Sequence, residues 1–212
     1  MLFSNHNYKG VFFILKEAKK HFAETASQIY QKGLTPGKSG NISMRISNPG
    51  AVSNNPGTDE FILITPSGVS LRDVTINNVI VTDLEGKKVE GEGVPSSELH
   101  MHLEIYQKRD DIGAIVHTHS PYATGFSFTD KKIPRFEGFG EIKAPYISEI
   151  EYAVPGSGQL VESASNGLIN EDVLLLRNHG VVAVGPDIDE AVLLAEFTES
   201  SAKTGFIIQL LG

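Results

Sequence analysis

Apolar side chains recur at helical spacing near the start of the chain. Phe12, Leu15, Ala18, Phe22, Ala26 and Ile29 share one face of Val11 to Gln31, and Gly33 supplies a stop just beyond. The pattern predicts an amphipathic first helix. Leu34 to Ser43 is rich in Gly, Pro, Ser and Asn and leads into Ile42, Met44 and Ile46 alternating with polar residues, the period of a strand. A second small-residue cluster, Ser47 to Asp59, predicts a hairpin loop before an apolar strand over Phe61 to Thr65. Pro66-Ser67-Gly68 then turns the chain. A further strand is expected near Val79 to Asp83, then the Glu85-Gly86 turn and Lys87 to Glu90.

From Pro95 the period changes. Leu99, His102, Leu103 and Tyr106 fall at helical spacing, and Ser96 or Ser97 suits the N-cap. Ala114 to Val116 is an apolar strand that runs directly into His117-Thr118-His119. A helical Pro121 to Phe128 precedes a middle section that reads as irregular. Asp172 to Arg177 is the most apolar strand, Asn178-His179-Gly180 breaks it, Val181 to Val184 resumes it, and Asp189 to Leu211 is a long final helix. The order is not a regular β–α alternation. It predicts one α/β domain over residues 1–212, with a mixed sheet covered by helices.

Composition narrows the chemistry. At 212 residues the chain is long enough for one substantial core. A formal net charge of -8 and the lack of a basic cluster argue against a nucleic-acid partner, and an anionic ligand would have to be held by local donors. With no cysteine, disulfides, thiolate ligands and cysteine nucleophiles are excluded, so a metal would need His, Asp or Glu. Val11 to Leu15 is too short, and too closely flanked by charge, to be a signal peptide or a membrane span. That points to the cytoplasm.

Successive strand residues face opposite ways, so His117 and His119 project together while Thr118 points away. Such a pair can grip one ion, and His179, at a break in a buried strand, is a plausible third ligand for zinc or another divalent cation. Half-exposed histidines at a strand end are the plain alternative. His100 and His102 form a second His-x-His, but on a helix they stand about 200° apart and cannot easily share an ion. His102 lies four residues after Glu98, on the same face, where it can line the site. Glu98, at a helix start, is either a dipole-complementing carboxylate or, beside a dication, a ligand or proton shuttle. Gly37 to Ser43 and Thr65-Pro66-Ser67-Gly68 have the N–H groups and hydroxyls of a phosphate cradle, and Ser96 and Ser97 occupy a helix N-terminus suited to an anion.

Taken in order, Gly40-Asn41-Ile42-Ser43, Thr65-Pro66-Ser67-Gly68, Pro95-Ser96-Ser97-Glu98, His117-Thr118-His119 and Asn178-His179-Gly180 resemble the class II aldolase/adducin family over almost the whole chain. The resemblance implies a three-layer α/β/α fold with a central, mostly antiparallel mixed sheet, assembled as a homotetramer with active sites at subunit interfaces. It implies zinc on His117, His119 and His179, an acid/base role for Glu98, and a phosphate pocket made by Asn41, Ser67, Gly68, Ser96 and Ser97. The activity implied is retro-aldol cleavage of a phosphorylated ketose through a metal-stabilised enediolate. Decarboxylation or dehydration of a related phosphate is the alternative chemistry, and a non-catalytic scaffold is the alternative without chemistry. The tyrosines that aldolases of the family draw from a neighbouring subunit have no counterpart in Arg135 to Glu141 or in Phe206 to Gly212, and Tyr146 and Tyr152 lie nearby in sequence.

Overall fold

A computed structural model describes residues 5–47, 60–136 and 144–212, with side chains from residue 14 onward. The expected elements form, with two additions. In order they are α1 (Asn5–Gln31), β1 (Asn41–Ser47), β2 (Glu60–Ile64), β3 (Ile80–Thr82), β4 (Lys88–Glu90), α2 (Leu99–Lys108), β5 (Ala114–Thr118), α3 (Pro121–Ser127), β6 (Ser148–Ile150), α4 (Gly158–Gly167), β7 (Val173–Leu176), β8 (Gly180–Gly185) and α5 (Ile188–Leu211). A 3-10 turn at Leu71–Asp73 follows β2. Residues 48–59 of the expected hairpin loop lie outside the described residues.

The strands form one open mixed sheet in the order β4-β3-β2-β1-β5-β8-β7-β6. Every neighbouring pair is antiparallel except β6 with β7. Strand alternation then sorts the core into two sides. On one side Ile42, Leu63, Val116, Val181 and Ala183 pack against Phe22 and Ile29 of α1, Phe126 of α3, and Ala191 and Ala195 of α5. On the other, Ile62, Ile64, Ile115, Leu174 and Val182 pack against Leu103 and Ile105 of α2 and Leu160 and Ala164 of α4. Three layers result, as the resemblance implied.

The middle section corrects the sequence reading. It holds the edge strand β6 and the ten-residue α4, begun by Ser157, whose side chain accepts a hydrogen bond from the Leu160 N–H. Leu160, Ala164 and Leu168 bury one stripe of this helix. Two glycines and a short apolar stripe hide it from a periodicity argument. β6 is three residues of intermediate burial, too short to alternate visibly.

Candidate metal centre

The sheet's central strands bring the histidines together. His117, within β5, is in register with Asn41 of β1 on one side and Val182 of β8 on the other. His119 lies one residue beyond the strand, where its N–H donates to the Leu34 carbonyl at 3.1 Å. His179 comes from the β7–β8 turn. There Asn178 takes a left-handed φ of 55°, its N–H donates to the Ser127 carbonyl at 3.0 Å, and the His179 N–H donates to the Leu176 carbonyl at 3.1 Å. Asn tolerates that conformation better than most residues.

The three imidazoles meet edge to face, with ring centroids 4.8, 4.8 and 5.0 Å apart. One nitrogen of each lies within 4.8 Å of the others. His117 Nδ1 stands 2.9 Å from the Val181 carbonyl, which can only accept, so that nitrogen holds a proton and Nε2 is the atom turned toward the cluster. His119 Nε2 is 3.0 Å from it. Burial first, then the His117 and His179 rings, push His119 down to about 3, with Glu98 opposing. Burial and His117 push His179 down to about 4 against the same carboxylate. Both rings are therefore neutral at neutral pH, the state a metal ligand requires. Imidazole nitrogens about 2.0–2.1 Å from one tetrahedral ion stand about 3.3 Å apart, so the trio closes on a cation with small shifts.

Glu98 completes the cluster. Its Oε2 accepts from Asn41 Nδ2 at 2.8 Å and lies 3.3 Å from His117 Nε2, and its Oε1 lies 3.6 Å from His179 Nε2. Burial raises this carboxyl, but His117, the Asn41 amide, His179 and His102 together outweigh it and hold it at about 2. Oε1 is buried without a hydrogen-bond donor among the described residues. An ionised, donor-poor oxygen beside three imidazoles suits a divalent cation.

Ser96 and Ser97 do not cap α2 as expected. Glu98 occupies the N-cap position without a side-chain cap bond, the Ser96 hydroxyl accepts from the Glu98 N–H at 3.3 Å, and the Ser96 carbonyl accepts from the Leu99 N–H at 3.0 Å. The tight turn that results pulls the carboxylate inward. Ser67 N–H donates to the Val94 carbonyl at 2.9 Å and Ser96 N–H to the Thr65 carbonyl at 3.0 Å, so the two small-residue loops are zipped side by side. Gly68, with φ 72°, and the exposed Ser67 lie on one of these joined loops, and the exposed Ser97 precedes Glu98 on the other.

His102 does not line the site openly. It is fully buried, with Nδ1 2.6 Å from Ser43 Oγ, which in turn lies 2.8 Å from the Tyr106 hydroxyl. The sequence placed Ser43 in a small-residue cradle and Tyr106 on the buried face of α2 without pairing either with His102, although Ser43 follows Asn41 at strand period and Tyr106 follows His102 at helical period. His100 is exposed, as expected of the other member of that pair. Tyr146 and Tyr152 are about half exposed, and residues 137–141 lie outside the described residues.

Residues 20–205 match the model of the Class II Aldolase and Adducin N-terminal domain. The chain is 38% identical over 191 residues to an L-fuculose phosphate aldolase of Methanococcus maripaludis, covering 90% of this chain and 97% of that protein. It is 33% identical over 196 residues to a 3-oxo-tetronate 4-phosphate decarboxylase of Haemophilus influenzae, covering 90% of this chain and 88% of that one. Among solved structures, an L-fuculose 1-phosphate aldolase superposes with a TM-score of 0.80 at 30% identity, covering 92% of this chain and 88% of the other.

Proposed function

The chain belongs to the class II aldolase and adducin family, and we propose that it is a zinc-dependent aldolase cleaving a phosphorylated ketose of the L-fuculose 1-phosphate type. The observation that carries this reading is the convergence of three imidazoles on one buried, ionised carboxylate beside a pair of joined small-residue loops. His117, His119 and His179 would hold the zinc, which supplies Lewis acidity toward the substrate's carbonyl oxygen when bound. Glu98 exchanges a proton with the carbon released by carbon–carbon cleavage, and Asn41 keeps that carboxylate oriented. Ser67, Gly68, Ser96 and Ser97, with Asn41 at their edge, receive the phosphate through hydroxyl and backbone donors instead of a lysine or arginine. Support for acid/base work comes from the burial of Glu98 and from its single amide donor, which leaves Oε1 free to meet substrate.

The likeness to a decarboxylase favours one second reading, in which the same groups act on a keto-acid phosphate. An adducin-like scaffold is the reading without catalysis, and the retained histidines and Glu98 count against it. Among the described residues no helix is long and apolar enough to cross a membrane, and we place the enzyme in the cytoplasm. A homotetramer is the proposed assembly, supported by the exposed apolar Phe206, Ile207, Ile208, Leu210 and Leu211 on α5.

Glu98→Gln tests the assignment. The variant should bind zinc stoichiometrically and lose turnover of L-fuculose 1-phosphate by a factor of about 10² or more, the scale of general acid–base catalysis. Dihydroxyacetone phosphate and aldehyde are the products to follow, with carbon dioxide release from a 3-oxo acid 4-phosphate assayed in parallel. Wild-type turnover by the Gln variant would remove Glu98 from the mechanism. Carbon dioxide without aldehyde would select the decarboxylase reading.

A further inference from the structure

The short helix α3 is tied at both ends to segments that carry histidines of the cluster. At its start only Ser120 separates His119 from Pro121. At its end the Ser127 carbonyl accepts the 3.0 Å hydrogen bond from the Asn178 N–H, next to His179. α3 therefore forms a bracket between the backbones of His119 and His179, whose ring centroids are 5.0 Å apart. It has seven residues, and helices shorter than about 12 residues are marginal on their own in water. What keeps it in place has to come from its neighbours.

Its own sequence supplies no cap. Ser120 stands at the N-cap in extended conformation, but its hydroxyl makes no cap bond and is buried without a partner among the described residues. Pro121 has no N–H to satisfy, so the first free donors of the helix are the N–H groups of Tyr122 and Ala123. One side chain takes both. Glu199 of α5 accepts from the Tyr122 N–H on Oε1 at 3.0 Å and from the Ala123 N–H on Oε2 at 2.8 Å. A carboxylate bonded to two N–H groups at the positive end of a helix is a charge-assisted cap, stronger than the hydroxyl it replaces. The next two turns of α5 close on the same residue. Lys203 Nζ lies 5.6 Å over the Tyr122 ring, and the Phe206 ring is 5.7 Å from it, centre to centre. α5 is in turn fixed to the core through the buried Ala191, Ala195 and Ala202.

We propose that Glu199 is a positioning residue of the metal centre, which clamps the first turn of α3 to α5 and so holds His119 at the separation from His179 that one cation needs. The role rests on the metal centre proposed above. Glu199 touches neither the histidines nor the cation site, and acts through the backbone of residues 120–123. Without it the first turn of α3 has no acceptor for two donors, and His119 loses the support on its C-terminal side while keeping its own N–H bond to Leu34.

Zinc affinity at pH 7, measured by competition with a chelator of known affinity, tests this on Glu199→Ala and Glu199→Gln. Ala removes both acceptors and should weaken zinc binding by about tenfold, the lower end of the range for groups that orient metal ligands. Gln keeps one carbonyl oxygen for one of the two N–H groups and should lose about threefold. In metal-free protein, amide hydrogen exchange at Tyr122 and Ala123 should quicken in both variants. Ser157→Ala is the control, because it removes the cap of α4, a helix that carries none of the proposed ligands. Lost stability alone leaves the affinity of a still folded protein unchanged, so this variant should bind zinc as the wild type does. Wild-type affinity in Glu199→Ala overturns the proposal, as does equal weakening in Ser157→Ala or unchanged exchange at Tyr122 and Ala123. Should the Ala variant fail to fold, Gln decides alone: weaker binding supports the clamp and wild-type affinity removes it. A wild-type protein that binds no zinc would instead remove the metal centre of the proposed function, and the role of Glu199 with it.

Discussion

At Gly180 the β7–β8 turn runs so close to β5 that an added Cβ would stand 2.3 Å from the Thr118 carbonyl oxygen and 3.4 Å from His117 Cε1. The closer atom is backbone and cannot rotate away. Gly180→Ala should therefore push the turn off β5, costing about 1–3 kcal/mol as overpacking does, and carry His179 out of reach of the other two imidazoles. Urea denaturation and zinc stoichiometry would both register the change, and an Ala variant with full zinc would contradict it. Gly40 plays a similar part across the strand, where φ is 72° and a Cβ would meet the His117 carbonyl at 2.7 Å. The histidines themselves were legible because strand alternation and a polar break are local signals. The burial of His102 against Ser43 was not, since the two are close only in the folded chain. That same burial predicts a pH effect. An unfolded imidazole titrates near 6.5, whereas burial, with a smaller push from His117 and against the pull of Glu98, holds His102 at about 3. Below 6.5 the unfolded chain takes up a proton that the fold refuses, so stability falls as pH drops from 6.5 toward 3. His119 and His179 add the same sign in metal-free protein. Urea midpoints of metal-free protein should decline from pH 7 to pH 5, above the range where Glu98 contributes, and His102→Gln should decline less. A flat midpoint would show that these rings titrate normally.

Among the elements, α4 is the one whose absence from the sequence reading matters most, because it backs α2. Lys108 of α2 donates to Ser165 Oγ and Asn166 Oδ1 of α4, each at 2.8 Å, and Leu160 and Ala164 share a core with Met101 and Ile105. The helix that presents Glu98 thus rests on the sheet along one side and on α4 along another. Ser157 starts α4 by accepting from the Leu160 N–H at 3.2 Å. Ser157→Ala leaves that donor without its cap and should lower stability by about 1 kcal/mol. Zinc content should be unchanged, because the proposed ligands come from β5, the residue just beyond it and the β7–β8 turn. Thermal denaturation of the zinc-free and zinc-loaded variants separates the two effects, and a loss of zinc would mean that α4 reaches the centre through α2 more strongly than its contacts suggest. The cap signal, a serine three residues before a buried leucine, was present in the sequence but was outweighed by the flanking glycines. α1 and β1 were legible because each keeps one period over enough residues for its buried face to stand out, and β5 and β7 because each is a short continuous apolar run.

At the scale of the whole molecule, the sheet gathers every group of the site at one end of its central strands. The order of the strands, with β5 set between β1 and β8, was not readable from alternation alone. The resemblance implied a mostly antiparallel mixed sheet and no order within it, since periodicity says which face a residue takes and nothing about which strand lies beside it. The fold also surrounds that site with a net charge of -8. An anionic phosphate approaches against this field and is received, in the proposed pocket, by hydroxyls and backbone N–H groups that carry no full charge. Screening should then favour binding. Raising ionic strength from 10 to 150 mM shortens the Debye length from about 30 to about 8 Å, which removes most long-range repulsion and leaves short hydrogen bonds intact. KM for a phosphorylated ketose should fall by about twofold over that range, with kcat steady, since the field acts on approach and binding and not on the proposed bond cleavage. Initial rates in potassium chloride at fixed zinc measure this directly. A KM that rises with salt instead would mean that a cationic side chain, contributed by this subunit or by a neighbour, carries the phosphate, and the pocket built from Ser67, Gly68, Ser96 and Ser97 would then need that residue added.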